Sequence, residues 1–165
     1  MEAIAAEASV TKPILYRSVG DRDALVIALS ERFVQRVNVA AAHDVARATS
    51  PRDAVYLLVR AFLDTVEGQS NLFLFVTAGT VGRDRVARSL SLADLSAVPL
   101  ADLLARLHSA GEPPDQLASL IWAHGMIGAM QYATLWWLRN RSCTTHELAE
   151  HLTQLIWSGI APPGQ

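Results

Sequence analysis

The chain has 165 residues, is 51% hydrophobic and 18% charged, and carries a formal net charge of −2. That length supports one sizeable core, or a small head on a larger body, and the apolar content excludes a disordered chain. The slightly acidic balance excludes nucleic-acid binding by bulk charge, so any such contact must rest on a few placed cations.

The first elements are short. Ile4 and Ala8, four apart, form the apolar side of a helix that Ser9-Val10 breaks. Thr11 is placed to cap the next helix through its hydroxyl, and Lys12-Pro13 fall in the first turn, where a missing proline N–H leaves no bond unmade. Ile14-Leu15-Tyr16-Arg17 form its body. Gly20 ends it in a conformation that only glycine adopts cheaply, and Asp21 caps the third helix. Helix, tight turn, helix is the geometry that presents a second helix to the DNA major groove.

Asp21 to about Ala48 reads as one long helix, with Ala24, Leu25, Ala28, Leu29, Phe33, Val37 and Ala40 at helical spacing. Thr49-Ser50-Pro51 stops it and starts the next. Asp53 to Glu67 is amphipathic along Val55, Leu58, Val59, Phe62 and Val66, and Gly68 closes it. Asn71 to Ala78 is an apolar run that periodicity alone leaves open between strand and buried helix. With helices on both sides it reads as a buried helix. Gly79 to Ser91, the most polar and basic segment, reads as a solvated loop leading into an irregular helix. Its glycine pair lacks the glycine-lysine-hydroxyl pattern of a phosphate loop. Leu95 to Ala110 is the next helix, its apolar side carried by Leu100, Leu103, Leu104 and Leu107.

Gln116 to Leu138 contains no Asp, Glu, Lys or Arg and is long enough to span a bilayer. Gln116, Ser119, His124, Gln131 and Thr134 are spread along it, which favours a helix surrounded by protein instead. Gly125, Gly128 and Ala129 permit close helix approach. Thr145 to Ser158 is the last helix, with Leu148, Leu152, Leu155 and Ile156 as its seam, and Pro162-Pro163 ends the fold. The expected class is all-α.

Little catalytic chemistry is visible. His146 and His151 are five apart, about 140° round a helix, so they do not share the face that a zinc-protease motif needs. Glu147 and His151 are four apart, but two ligands are few. There is no nucleophile elbow or triad signature, and the chain is read as not an enzyme, with no metal and no cofactor. Cys143 is the only cysteine, which rules out an internal disulfide and makes a reducing cytoplasm the expected compartment. Residues 1–20 lack a charged start followed by an apolar core, so no signal peptide is expected.

The run from Ile4 to Leu25, I-A-A-E-A-x-V-T-K-x-x-L-Y-R-x-x-x-x-R-D-A-L, resembles the DNA-binding signature of the tetracycline-repressor (TetR) family of bacterial transcriptional regulators. Four positions depart from it. Ser9 stands where the family has glycine, Ser18-Val19 where it has an aromatic pair such as His-Phe, and Arg22 where it has lysine. The family also places a further helix before this motif, so the resemblance implies an N-terminally truncated head, through either a start of translation assigned inside the gene or true absence of that helix. Ile4, Val10, Leu15 and Val19 would then lose cover, at about 1.5–3 kcal/mol for each fully buried side chain.

The resemblance implies a truncated helix-turn-helix head with the start of a linking helix at 1–36, and a helical ligand-binding and dimerisation body at 37–165. Thr11, Lys12, Tyr16 and Arg22 would hold phosphates. Pro13 and Ile14 would meet thymine methyls or sugars, and Arg17 a guanine edge or a phosphate. Phe62, Trp122 and Met126 would wall an effector pocket, with His124 as its polar contact. Gly125, Gly128, Ala129, Leu148, Leu152, Leu155 and Ile156 would pack against a second subunit in a four-helix interface.

The implied function is a cytoplasmic, homodimeric, ligand-responsive regulator, a repressor released from operator DNA by an apolar or amphipathic small molecule. The alternatives are a truncated ligand-binding or dimerisation protein that no longer binds DNA, and a membrane-associated helical protein.

Overall fold

The structure is a computed structural model that describes residues 1–77, 83–108 and 115–160, with backbone alone for residues 83–92, 108, 159 and 160. Among them run eight helices: α1 (Glu2–Glu7), α2 (Lys12–Val19), α3 (Arg22–Val45), α4 (Pro51–Gly68), α5 (Ser70–Thr77), α6 (Arg83–His108), α7 (Gln116–Asn140) and α8 (Thr145–Ile160). No strand occurs among the described residues, so the fold is all-α.

Local chemistry sets many of the boundaries. Asp21 Oδ1 accepts from the Ala24 N–H at 2.8 Å and caps α3. Ser50 caps α4 by accepting from Asp53 N–H, while Asp53 accepts from the backbone and hydroxyl of Thr49. Those two bonds, the backbone one foremost, hold the Asp53 carboxyl below its usual range. Asp115 caps α7 by accepting from Leu117 and Ala118, and Arg141 ends that helix in the left-handed region at φ 46°. The Arg141 guanidinium lies 4.2 Å over the Trp137 ring, and Trp137 Nε1 donates to the Cys143 carbonyl.

Two elements differ from the sequence expectation. Helix α6 begins at Arg83, twelve residues before Leu95, so the irregular helix expected in the polar segment and the helix expected from Leu95 are one continuous helix. Arginine, alanine and leucine there favour helix intrinsically, without the apolar stripe that periodicity detects. The glycine pair of that segment lies outside the described residues. Helix α6 also continues through Pro99, which cannot donate to the Leu95 carbonyl and sits on an exposed side of the helix. The second difference is at Thr11, whose side chain makes no capping bond; its extended backbone and Pro13 start α2 instead.

Helix α4 is the spine of the body. It packs against α3 on one side and α8 on another, while α6 and α7 pair along their length. Val59, Leu63, Ala123, Ala149 and Trp137 are buried where α4, α6, α7 and α8 meet. Phe33 of α3, Val66 of α4 and Phe73 of α5 form a second, smaller cluster, with the Phe33 and Phe62 rings each 5.8 Å from Phe73.

No helix of the described residues is long and apolar enough to cross a membrane, α7 included, which removes the spanning alternative for them. Helix α7 is buried along Ser119, Ala123, Met126, Met130, Thr134 and Trp137 and exposed elsewhere, so it is not enclosed on all sides by its own chain.

Candidate DNA-reading head and internal cavity

Helices α1 and α2 are joined by a tight turn that places Ser9 in the left-handed region at φ 54°. Glycine adopts that conformation without the clash a Cβ introduces, which gives a physical reason for the glycine of the resembled motif. The turn from α2 to α3 passes through Gly20 at φ 74°, where a Cβ would come within 2.9 Å of Ala24 Cβ. Between the two turns α2 is exposed over most of its circumference. Thr11, Lys12, Pro13, Ile14, Tyr16 and Arg17 are all exposed there, and Arg22 is exposed at the start of α3. Leu15 points the other way and is buried.

Beneath that helix the packing is thin. Among residues 1–29 only Ala5, Leu15 and Val26 are buried, while Ile4, Val10 and Val19 are half-buried and Ile27 is exposed. Lys12 Nζ sits 2.9 Å from Glu2 Oε1, an exposed ion pair worth about 0–1 kcal/mol that a phosphate could displace.

Helix α3 connects this head to the body and also walls a partly open cavity. At 24 residues it is about 36 Å long. Its middle turns present Phe33, Val34, Val37, Asn38 and Ala41 to a cavity of about 80 Å³, closed by Leu58, Phe62, Phe73, Ser96, Leu100, Ile127, Met130 and Gln131. The lining is apolar, with Asn38, Ser96 and Gln131 as its polar side chains.

Of the four residues expected to form a pocket, Phe62 alone lines this cavity. Met126 is buried in the main core and Trp122 packs against that core. His124 faces outward: Nδ1 donates to the Leu120 carbonyl at 2.8 Å and Nε2 lies 3.2 Å from Asp94 Oδ1. The carbonyl bond, and then Asp94, raise the His124 pKa above its ordinary value. The reason is rotational. Met130, Ile127 and Gln131 take the cavity wall because α7 turns that side towards α3, and a helix apolar nearly all round does not reveal which side that is.

The α3 residues escaped sequence reasoning because their stripe reads as ordinary linker packing. Asn38, set between Val37 and Ala41 on that stripe, was the available signal.

The residues expected at a subunit interface divide likewise. Leu148, Leu152 and Ile156 are buried in the chain's own core beside α4, so they have no surface left for a second copy. Leu155 is 65% exposed, Gly125 is exposed, and Gly128 and Ala129 are half-buried. The apolar surface left open on α7 is carried by Leu117 at 68%, Ile121 at 61%, Tyr132 at 76% and Trp136 at 55% exposed.

The histidine-rich start of α8 is engaged structurally. Glu147 accepts from the Thr144 N–H and hydroxyl, bonds that lower its pKa, and its own N–H donates to Thr144 Oγ1. His146 Nδ1 lies 2.8 Å from Tyr56 Oη. Among the described residues no three candidate ligands converge on a metal position.

A short helix-turn-helix head carried on one long helix into an all-helical body defines a class of DNA-reading regulators. Residues 37–164 match the family model described as the tetracyclin repressor-like C-terminal domain, and the chain belongs to the tetracycline-repressor family of transcriptional regulators. Two uncharacterized HTH-type transcriptional regulators from two strains of Mycobacterium tuberculosis are each 29% identical to it over 168 residues, covering 97% of this chain and 68% of theirs.

Among solved structures, a TetR-like transcriptional regulator from Rhodococcus sp. RHA1 superposes with a TM-score of 0.69 at 24% identity, covering 99% of this chain and 84% of that one. A protein with unknown function from the same organism gives 0.59 at 19% identity, covering 98% and 84%. At these identities the structures speak for the fold.

Proposed function

We propose that the protein is a homodimeric repressor whose grip on operator DNA is released when a small apolar or amphipathic molecule enters the α3 cavity. One observation carries this reading: the helix that leaves the DNA-facing head, α3, is also the largest wall of the cavity. A ligand that displaces Val34, Val37 or Asn38 moves the base on which α2 stands. The cavity is smaller than an aromatic effector needs, an engineered cavity of about 150 Å³ being filled by benzene, so binding must part the helices around it. That coupling is a differential contact of the kind a ligand-driven shift requires.

On this reading Thr11, Lys12, Tyr16 and Arg22 contact phosphates, Pro13 and Ile14 contact sugars or thymine methyls, and Arg17 reaches a base edge or a phosphate. Head and body divide near residues 36 and 37, within α3. Two copies join through the open side of α7, using Leu117, Ile121, Gly125, Tyr132 and Trp136 with Leu155 of α8, and act on cytoplasmic DNA. A weakly charged head needs that doubling, because few cations per copy neutralise few phosphates.

A gel shift on the DNA flanking its own gene, with the mass measured in solution at micromolar concentration, tests this. Specific binding by a dimer is expected, lost in a Lys12→Ala/Arg17→Ala double variant. A Tyr132→Asp/Trp136→Asp variant is expected to be monomeric and to bind weakly. A monomeric parent chain overturns the proposal. A dimer that ignores operator DNA supports the alternative, a ligand-binding or dimerisation protein without DNA binding, which the thin packing of the head and the Lys12–Glu2 pair favour.

A further inference from the structure

The cavity continues beyond its apolar walls. Asn38, Ala41, Leu58 and Leu100 belong both to it and to a more open cleft of about 400 Å³ between the C-terminal half of α3 and α6. That cleft is bordered by Val45, Pro99 and Leu103, and its one charged lining residue is Arg106. Arg106 is exposed and forms no ion pair with a described residue. Neither of these two spaces is lined by a carboxylate, whereas a further open groove that shares Val34 and Asn38 with the cavity is lined by Glu31. Asp44, close by on α3, is held by His43 at 3.0 Å and lies 3.9 Å from Arg47. The two adjoining spaces are thus apolar among Phe33, Phe62, Phe73 and Met130 and carry a positive charge at Arg106. Leu100, at the junction, and Arg106 are six residues apart on one helix, which separates them by about 9 Å along the axis.

We infer that the effector is a slender amphipathic anion, with an alkyl chain seated among Phe33, Phe62, Phe73 and Met130 and a carboxylate on the Arg106 guanidinium. This rests on the reading of the cavity as the effector site and adds the chemical class of ligand. Three features select it. The apolar end, about 80 Å³, is smaller than the roughly 150 Å³ that holds a benzene ring, which favours a few carbons of an alkyl chain. The planar guanidinium fork matches a carboxylate in two parallel hydrogen bonds. Asn38, at the junction of the two spaces, carries an amide able to donate to the same oxygen atoms.

The purified chain is titrated with decanoate, decan-1-ol and decyltrimethylammonium, following tryptophan fluorescence and thermal shift. Decanoate is expected to bind about tenfold more tightly than the alcohol, and the ammonium more weakly than either. Arg106→Met removes the advantage of decanoate and leaves the alcohol unchanged. Ala41→Leu, which narrows the junction, weakens decanoate and decan-1-ol together if the variant retains its parent circular dichroism spectrum.

Equal affinities for decanoate and decan-1-ol, or a preference that survives Arg106→Met, overturn the anionic end while keeping the cavity as an effector site. Binding led by the ammonium, binding indifferent to Ala41→Leu, or no binding by any probe overturns the inference as a whole. The effector reading itself is decided separately. A parent dimer that binds operator DNA, with none of the cavity-filling or ligand experiments altering that binding, removes it.

Discussion

In the head, from α1 to the first turns of α3, only Ala5, Leu15 and Val26 are buried, whereas the body encloses Val59, Leu63, Val66, Ala123 and Ala149 completely. The head is shaped by two special turns, one cap and an exposed ion pair, all between residues close in the chain. The body is shaped by α4 reaching α8, and α6 lying along α7, across long stretches of sequence. The contrast suits the proposed division of labour. On that proposal, a surface that moulds itself to DNA would lie at the low-stability end of the molecule, and a core that sets the spacing of two heads at the high end.

The largest way to break this contrast is in the body. Leu63→Ala is expected to cost about 3–5 kcal/mol and to lower the urea midpoint of the whole chain. Leu15→Ala should cost nearer 2 kcal/mol, the low end for such a change. It should leave tryptophan fluorescence almost unmoved, because all four tryptophans lie in the body. If Leu15→Ala shifts the fluorescence transition as far as Leu63→Ala does, head and body unfold as one unit and the contrast fails.

Gly20→Ala comes next. Its positive φ and the 2.9 Å approach to Ala24 Cβ make a side chain strained there, at a cost of about 1–3 kcal/mol. Hydrogen exchange should show the α2 amides opening while those of α4 and α7 keep their protection.

Two substitutions sharpen the comparison by repairing one flaw in each region. Ser9→Gly relieves a left-handed serine and should stabilise the head by about 1 kcal/mol. Thr153→Val replaces a fully buried hydroxyl that has no hydrogen-bond partner and should stabilise the body by about 1 kcal/mol. Thermal melts read the second, and α2 protection factors the first.

The smallest effect is that of pH on the α6–α7 pair. The His124 pKa is raised by its bond to the Leu120 carbonyl and by Asp94. Its contribution is therefore complete below pH 6.5, the unfolded value, and is lost as pH rises through the raised pKa. A proton-NMR titration should place the His124 midpoint above 6.5, and His124→Gln should flatten that part of the stability profile.

Much of the head was legible because its signals are local. Gly20 as a stop, Asp21 as a cap and Pro13 in the first turn depend on neighbours a few residues away, and each acts in the structure as the sequence proposes. The hydroxyl of Thr11 does not, since the extended backbone and proline already begin the helix. The cavity was legible only at Phe62. Trp122, His124 and Met126 have the right chemistry for a pocket but lie on sides of α7 turned to the core or to solvent.

The sequence alone determined that the chain is helical and where its head turns, because caps, glycines and periodicity act over a few residues. Tertiary structure decided that α3 doubles as linker and cavity wall, that α8 spends Leu148, Leu152 and Ile156 on α4, and that Arg106 lines a cleft. Those outcomes arise from how helices distant in sequence rotate against one another to fill a common core, and no stretch of one helix encodes the rotation of its neighbour.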